Sequence, residues 1–419
     1  MNEIVSGKRI GTEILMYDGT TKRVEDVKIG DLVMGDDNLH REVVSTFNGK
    51  DNLYKIEPTD STKPYYVTGN DILSFRYNSK PALSQPTEKN PRYSVKYTKT
   101  FMDNSTQDNL SKVLMTSVNF AIKRHTEEIA KVEAENIFKV LIEEYYNTIY
   151  LHEVSVVNYI AQAKNLNRLL SSYRIGVEYA VYEEQTFNPY LLGMWLGDGT
   201  SRESSITNID QELIDFMYSE AIRINMKLNV RKVTKTQTKA MTYSFVSPGK
   251  PRAGSNIFKN FLRDFKLLNN KHIPHIYKVN SRENRLALLA GLIDTDGYMT
   301  DTYFEITQKN KTLSNDIVFL ARSLGFWCHI RPCEKGCTYN GVKRNGNYHR
   351  ISFGGYGLHE IPTLLPRKQM AERIVKFQKE PLYYRTILTK EEVESEYYGF
   401  KFEGQNQRFL LSDFTVSHS

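Results

Sequence analysis

Two short stretches about a hundred residues apart constrain this chain more than anything else in it. Leu191-Leu192-Gly193-Met194-Trp195-Leu196-Gly197-Asp198-Gly199 and Leu289-Ala290-Gly291-Leu292-Ile293-Asp294-Thr295-Asp296-Gly297 share one pattern. Each is apolar, carries small residues four apart (Gly193 and Gly197; Gly291 and Thr295) and ends in Asp-Gly. Small residues at that spacing let two helix backbones approach closely. The closing Gly permits the left-handed backbone that stops many helices. If the two helices pair, Asp198 and Asp296 stand side by side at their ends. A carboxylate there meets the negative end of the helix dipole, and two together are unfavourable unless a cation lies between them. The pair reads as a site for a divalent metal. The alternative is two unrelated buried helices, each with a Gly stop; two copies ending alike speak against it.

The rest of the composition narrows the setting. The 419 residues suffice for two or three domains. A net charge of +7, from 56 Lys+Arg against 49 Asp+Glu, is compatible with a polyanion partner without establishing one. The three Cys fall within Cys328 to Cys337, which argues against a disulfide-stapled secreted fold. With His329 they raise a zinc reading, but the spacing lacks a Cys-x-x-Cys pair, and core or loop thiols are expected. No hydrophobic signal core opens the chain and no apolar run is long enough to span a bilayer. The expectation is a soluble intracellular protein with no membrane partner.

Residues 11 to about 75 read as short strands and turns, with Asp18-Gly19 a hairpin signal. Residues 76 to about 110 are basic and aromatic. Arg92, Lys96 and Lys99 lie in a stretch that alternates as a strand would. A two-stranded basic ribbon fits a DNA major groove; an ordinary edge hairpin guarded by Lys is the alternative. Residues 112 to about 174 read mainly as helix, with a second helix over Leu151 to Leu170, packed on the β domain. Beyond the first motif, strand, helix and two strands are expected, with Lys227, Arg231, Lys235 and Lys239 on a basic face. The same order follows the second motif, with Gln308, Lys309, Lys311, Arg331, Lys343, Arg344 and Arg350 as candidate contacts.

The motif pair and the repeated order of elements resemble the LAGLIDADG homing endonucleases in single-chain form. The resemblance implies paired helices on a pseudo-dyad between two αβ halves, with antiparallel strands forming a saddle on DNA. It implies Mg2+, with Mn2+ as a substitute, at Asp198 and Asp296, assisted by the carbonyls of Gly197 and Thr295. A Lys shortly before a Pro ahead of the second motif lies near the metals in that family; Lys271, in Lys271-His272-Ile273-Pro274, fits. Lys368 is the match after the second half. Both would stabilise charge at the scissile phosphate.

A second resemblance frames the first. Gly11-Thr12-Glu13-Ile14-Leu15-Met16 and Val24 to Gly35, with Tyr397 to Phe402 and Gln407 to His418, resemble the terminal blocks of an intein (Hint) domain. The match is similar to fungal vacuolar-ATPase inteins and to the mating-type-switching endonuclease derived from them. Splicing in that family needs Cys or Ser at the first position, which here is Gly7, with Ser6 one place off. It needs a His where this chain has Asp71, and a final Asn where it has Ser419. An ionised carboxylate cannot donate as imidazolium does, and a Ser hydroxyl forms no succinimide. Of these groups only His418 survives. The mating-type enzyme also carries a C-terminal zinc-finger extension, which a chain ending at Ser419 is expected to lack.

The fold expected is therefore multidomain: a mostly-β Hint domain with a helical, DNA-recognition insertion, plus an α+β endonuclease of two pseudo-symmetric halves. The boundaries expected are 1–84 and 384–419 for Hint, 85–183 for the insertion, and 184–285 and 286–383 for the halves. The function expected is a free-standing, intein-derived, monomeric nuclease, acting in the nucleus on double-stranded DNA at a long asymmetric site. The alternatives are a self-splicing intein with non-standard splice residues and a cleavage-dead DNA- or RNA-binding relative.

Overall fold

A computed structural model of the chain describes residues 6–60, 62–77, 80–102, 111–121, 126–147, 151–162, 167–180, 182–185, 187–232, 240–249, 254–339, 342–372 and 380–419. Lys235 and Lys239 of the expected basic face fall outside this set, and so do the side chains of Lys99, Lys343, Arg344 and Cys337.

The two ends of the chain build one β unit. His40–Pro58 pairs antiparallel with Thr386–Phe402 along most of their lengths, and Lys8–Arg9 inserts between Tyr397-Tyr398 and Val67. Apolar side chains alternate inward to a core of Ile14, Val33, Val43, Phe400, Phe402 and Phe409, drawn from both termini. Arg408–Leu410 then pairs with Val416–His418. A strand next to the first sixty residues is thus supplied by the last forty.

Two stretches depart from the expectation of helix. Ser111–Ala121 is a strand, paired over eleven positions with Arg92–Met102. Leu151–Leu170 is not one helix: Leu151–Ser155 and Leu170–Tyr173 are strands on Ile72–Tyr77, and Val156–Ala161 is a short helix following the first of them. The period explains it. His152 and Val154 are buried while Glu153 is exposed, a spacing of two rather than 3.6. The chain therefore rejoins the N-terminal β unit at Leu151, inside the stretch expected to be wholly insertion. The helix Glu127–Asn147 does form, but it packs Ala130, Ala134, Ile137 and Phe138 against Tyr93 and Val95 of the ribbon, not against the Hint core.

Between Phe187 and Leu365 runs one continuous apolar core. Each half has the expected order. The first carries Ser205–Asn208, the helix Gln211–Arg223, Lys227–Lys232 and Met241–Val246, sheeted with Met241–Val246 central. The second carries Tyr303–Gln308, the helix Lys311–Ser323, Trp327–Tyr339 and Val342–Gly354. The motif helices Pro189–Asp198 and Arg282–Asp296 stand between the two sheets. Among the described residues, no helix is long and apolar enough to cross a membrane.

Candidate active site

The motif helices touch backbone to backbone. Cβ atoms built on Gly193 and Gly291 would run into the Leu288 and Tyr190 carbonyl oxygens of the opposite helix. One on Gly197 would run into the Thr295 hydroxyl and stand 3.6 Å from Asp296 Cγ. This close crossing is what brings Asp198 and Asp296 together at the two C-terminal ends.

The closing glycines act differently from the sequence expectation. Gly199 (φ −73°) and Gly297 (φ −84°) are extended, not left-handed. Their N–H groups still bond the carbonyls of Trp195 and Ile293. A side chain is excluded by space: a Cβ on Gly199 would strike the Trp195 carbonyl and its indole, and one on Gly297 would approach the Ile293 carbonyl oxygen to 2.6 Å. The chain needs glycine here for close approach, so that it can turn from helix into strand directly behind each carboxylate.

Each carboxylate is oriented by an amide from its own half. Asn208 Nδ2 donates to Asp198 Oδ2 at 3.0 Å, and Gln308 Nε2 donates to Asp296 Oδ2 at 2.5 Å. Gln308 was expected to face DNA; it lies on the same side of its strand as buried Phe304 and Ile306, which points it into the site. Asn208 escaped the sequence reading. The repeat Ile206-Thr207-Asn208 and Ile306-Thr307-Gln308 was the signal that could have found it.

Lys271 and Lys368 come to the same two helix ends, by a route that spacing could not show. Lys271 Nζ donates to the carbonyls of Leu196 (3.0 Å), Gly197 (3.0 Å) and Gly199 (2.7 Å). Lys368 Nζ donates to those of Ile293 (2.7 Å) and Asp294 (2.8 Å). Both ammonium groups therefore cap helix C-termini, satisfying orphan carbonyls and offsetting the dipole that opposes the carboxylates. The Gly197 carbonyl, expected to face a metal, accepts from Lys271. The Thr295 hydroxyl bonds back to Gly291 and Leu292.

The electrostatics match a cation site. Burial first, and Asp296 second, push the Asp198 carboxyl up to about 6. Asp296 is raised as well by the protein crowded around the cleft, although its side chain is open to solvent. Burial lowers Lys271 to about 8 against the pull of Asp296 and Asp198. Burial also lowers Lys368, against the pull of Asp294. Two carboxylates that resist ionising together offer oxygen ligands of the kind that suits a hard divalent ion. Among the described residues no group of three or more His, Cys, Asp or Glu gathers anywhere, so the acidic part of this site is the two carboxylates alone. Cys328 is a buried core thiol.

The basic candidates divide between two places. Arg92 and Lys96 are exposed on one face of the ribbon, opposite the helix that covers Tyr93 and Val95. Lys227 and Arg231 are exposed on one face of the first half's sheet. In the second half Arg331 lies directly across from Arg350, whose Nε meets Glu305 at 3.1 Å, and Lys309 is exposed just past Gln308.

The splicing landmarks also meet. Asp71 is fully buried and paired with Lys8 Nζ at 2.5 Å; Lys8 also donates to the His418 carbonyl at 2.8 Å. Burial raises the Asp71 carboxyl to about 6 against the pull of Lys8. The Gly7 N–H bonds the Thr68 hydroxyl, and Ser419 bonds Gln407 through its N–H (3.0 Å) and its hydroxyl (2.8 Å).

Comparison with known proteins finds several relatives. The homothallic switching endonuclease of Saccharomyces cerevisiae is 24% identical over 96% of this chain and 78% of its own length. The V-type proton ATPase of Candida tropicalis has a catalytic polypeptide that is 21% identical over 98% of this chain, which spans 43% of that protein. The replicative DNA helicase DnaB of Mycobacterium intracellulare is 36% identical over 33% of this chain and 19% of its own length. Among solved structures, the homing endonuclease I-DmoI covers 43% of the chain at 17% identity and a TM-score of 0.28, and the gp41-1 intein covers 27% at 15% and 0.15. The profile of one family spans the whole arrangement, from the first β strand through both carboxylates to His418. Matched over residues 9–418, the chain belongs to the Hom_end-associated Hint family.

Proposed function

We propose that the chain is a site-specific DNA endonuclease, hydrolysing one phosphodiester on each strand with a divalent cation held by Asp198 and Asp296. The observation that carries this is the meeting of the two carboxylates at the crossing of the motif helices, each held by an amide and backed by a lysine. Its relatives include a named endonuclease, and crystals of I-DmoI contain DNA with Mn or Ca. In each hydrolysis the oxygen of water bonds to phosphorus, one phosphorus–oxygen ester bond breaks, and the leaving oxygen takes up a proton. A bound Mg2+ or Mn2+ would supply Lewis-acid charge at the phosphate. Asp198 and Asp296 hold and orient that charge, Asn208 and Gln308 keep their carboxylates turned to the cleft, and the lysines add positive potential. The basic residues Arg92, Lys96, Lys227, Arg231, Lys309 and Arg331 would neutralise backbone phosphates along a long site. Both carboxylates come from one chain, so a monomer suffices. Selection of cleaved sites from genomic DNA with Mg2+ tests the reading; no cleavage of any sequence would overturn it.

Metal binding has a pH signature. The Asp198 carboxyl stands at about 6 in the folded, metal-free protein, above its ordinary 3.8. The folded state holds that proton more tightly, so this group contributes stability below about pH 4 that is lost as pH rises through 6. A cation acts the other way, since it takes the ionised pair. At a hundredfold excess over Kd, Mg2+ is expected to raise Tm by about 5 °C at pH 8 and by little at pH 5. Calorimetry with Mg2+ and with EDTA reads this, and an equal rise at both pH values would place the ion elsewhere.

Splicing is proposed to be gone. Asp71, standing where the family has its His, is bound to Lys8, and Lys8 also holds the His418 carbonyl. Placed between two halves of a reporter, the chain is expected to yield no ligated product; any ligation would restore the intein reading.

A further inference from the structure

The two halves share a strand-to-helix junction that does two things at once. Ile206-Thr207-Asn208-Ile209-Asp210 and Ile306-Thr307-Gln308-Lys309-Asn310 occupy equivalent places. The third residue of each holds the carboxylate of its own half. The fifth is the N-cap of the following helix.

An N-cap side chain ordinarily serves the free N–H groups of its own helix. Asp210 makes no such bond. Its two oxygens accept from Arg367 Nη1 at 2.9 Å and Nη2 at 2.7 Å. Arg367 immediately precedes Lys368 in the short turn Pro366–Lys368. The junction of the first half therefore grips the lysine turn of the second. The junction of the second half does the converse. Asn310 accepts from the Leu313 N–H at 3.2 Å, and its Nδ2 donates to the Lys271 carbonyl at 2.8 Å. Asp316, on the same helix, accepts from the Ile273 N–H at 2.9 Å and from Lys278 at 2.7 Å.

We propose that Asp210 and Asn310 are positioning residues, each placing one of the two lysines at the carboxylate site, so that one five-residue junction fixes a carboxylate of its own half and the lysine of the other. This rests on the nuclease reading above. The Arg367–Asp210 pair is too exposed to matter much for stability, with 58% of the Arg367 side chain open to solvent. Its bidentate geometry instead fixes direction. Losing it frees the turn without unfolding the chain. Misplacing a catalytic group by about an ångström costs roughly a hundredfold in rate, and each junction governs one lysine only.

The test is strand-resolved cleavage of a supercoiled plasmid carrying the selected site, with each strand labelled separately. Asp210→Ala and Lys368→Met are expected to slow one strand by about ten- to a hundredfold. Asn310→Ala and Lys271→Met are expected to slow the other, and nicked circles accumulate in all four. The exchange Asp210→Arg with Arg367→Asp restores part of the lost rate, which a merely structural defect would not allow. The proposal is overturned if Asp210→Ala slows both strands equally, slows the strand that Lys271→Met slows, or slows neither. If the unaltered chain cuts no DNA, the nuclease reading fails on its own, and a crystal structure of Asp210→Ala decides the positioning claim. It requires Lys368 Nζ to leave the Ile293 and Asp294 carbonyls; Lys368 still in place sinks it.

Discussion

Asp296→Asn is expected to abolish double-strand cleavage while leaving DNA binding intact. The substitution keeps shape and removes one charge. Asn still fits beside Gln308, so the cleft keeps its form. What disappears is the second member of a carboxylate pair at two helix ends, where among the described residues no third acidic side chain joins the pair. With the cation weakly held, the phosphate loses its main source of charge compensation, for which a loss of at least about a thousandfold, or about 4 kcal/mol, is expected. Binding behaves differently. Removing a negative charge from a surface that meets phosphates cannot weaken the electrostatic part of affinity. Gel-shift affinity in Ca2+ should therefore match the unaltered chain or exceed it slightly. Normal cleavage by Asp296→Asn in Mg2+ would remove this residue from the chemistry. Cleavage lost together with binding would point to misfolding instead.

Much of this site was legible because it obeys simple periods. Gly193, Gly197 and Gly291 announce a close helix crossing by spacing alone, and the crossing is there. The two halves repeat strand, helix and strands in an order that apolar alternation reveals. Lys271 is placed by the family resemblance of its Ile-Pro context rather than by any period. The residues that escaped are those whose meaning comes from contacts between distant parts of the chain. Lys8 and Asp71 are 63 positions apart, and nothing local marks either as half of a buried ion pair. Asp210 looks like any helix N-cap until Arg367, 157 positions away, is seen to occupy its oxygens. The extended conformation of Gly199 and Gly297 was also hidden, since glycine is chosen for positive φ and for lack of a side chain alike, and only packing tells which. Over Leu151–Leu170 a mixture of apolar residues satisfied a helical period, while the available sheet edge at Ile72–Tyr77 decided for strands.

Gly193→Val is expected to do the most damage to folding of any single change at the helix crossing. Gly193 meets the Leu288 carbonyl, the Leu292 N–H region and the Gly291 Cα, all backbone of the opposite helix. A side chain there cannot be accommodated by a rotamer change, so the helices must separate. That opens a core built from both halves, with Leu192, Met194, Leu289 and Leu292 all fully buried. Overpacking of this kind costs about 3 kcal/mol or more, which for a unit of this size lowers Tm by about 6–12 °C. Gly197→Ala provides the contrast. Its obstacle is the Thr295 side chain rather than backbone, so Thr295→Ala in the same chain should recover part of the loss, whereas no trimming of a neighbouring side chain should rescue Gly193→Val. Calorimetry of these variants separates the two cases. A Gly193→Val protein that melts with the unaltered chain would mean that the helices do not cross at this point, and Asp198 and Asp296 would then have no structural reason to share one ion.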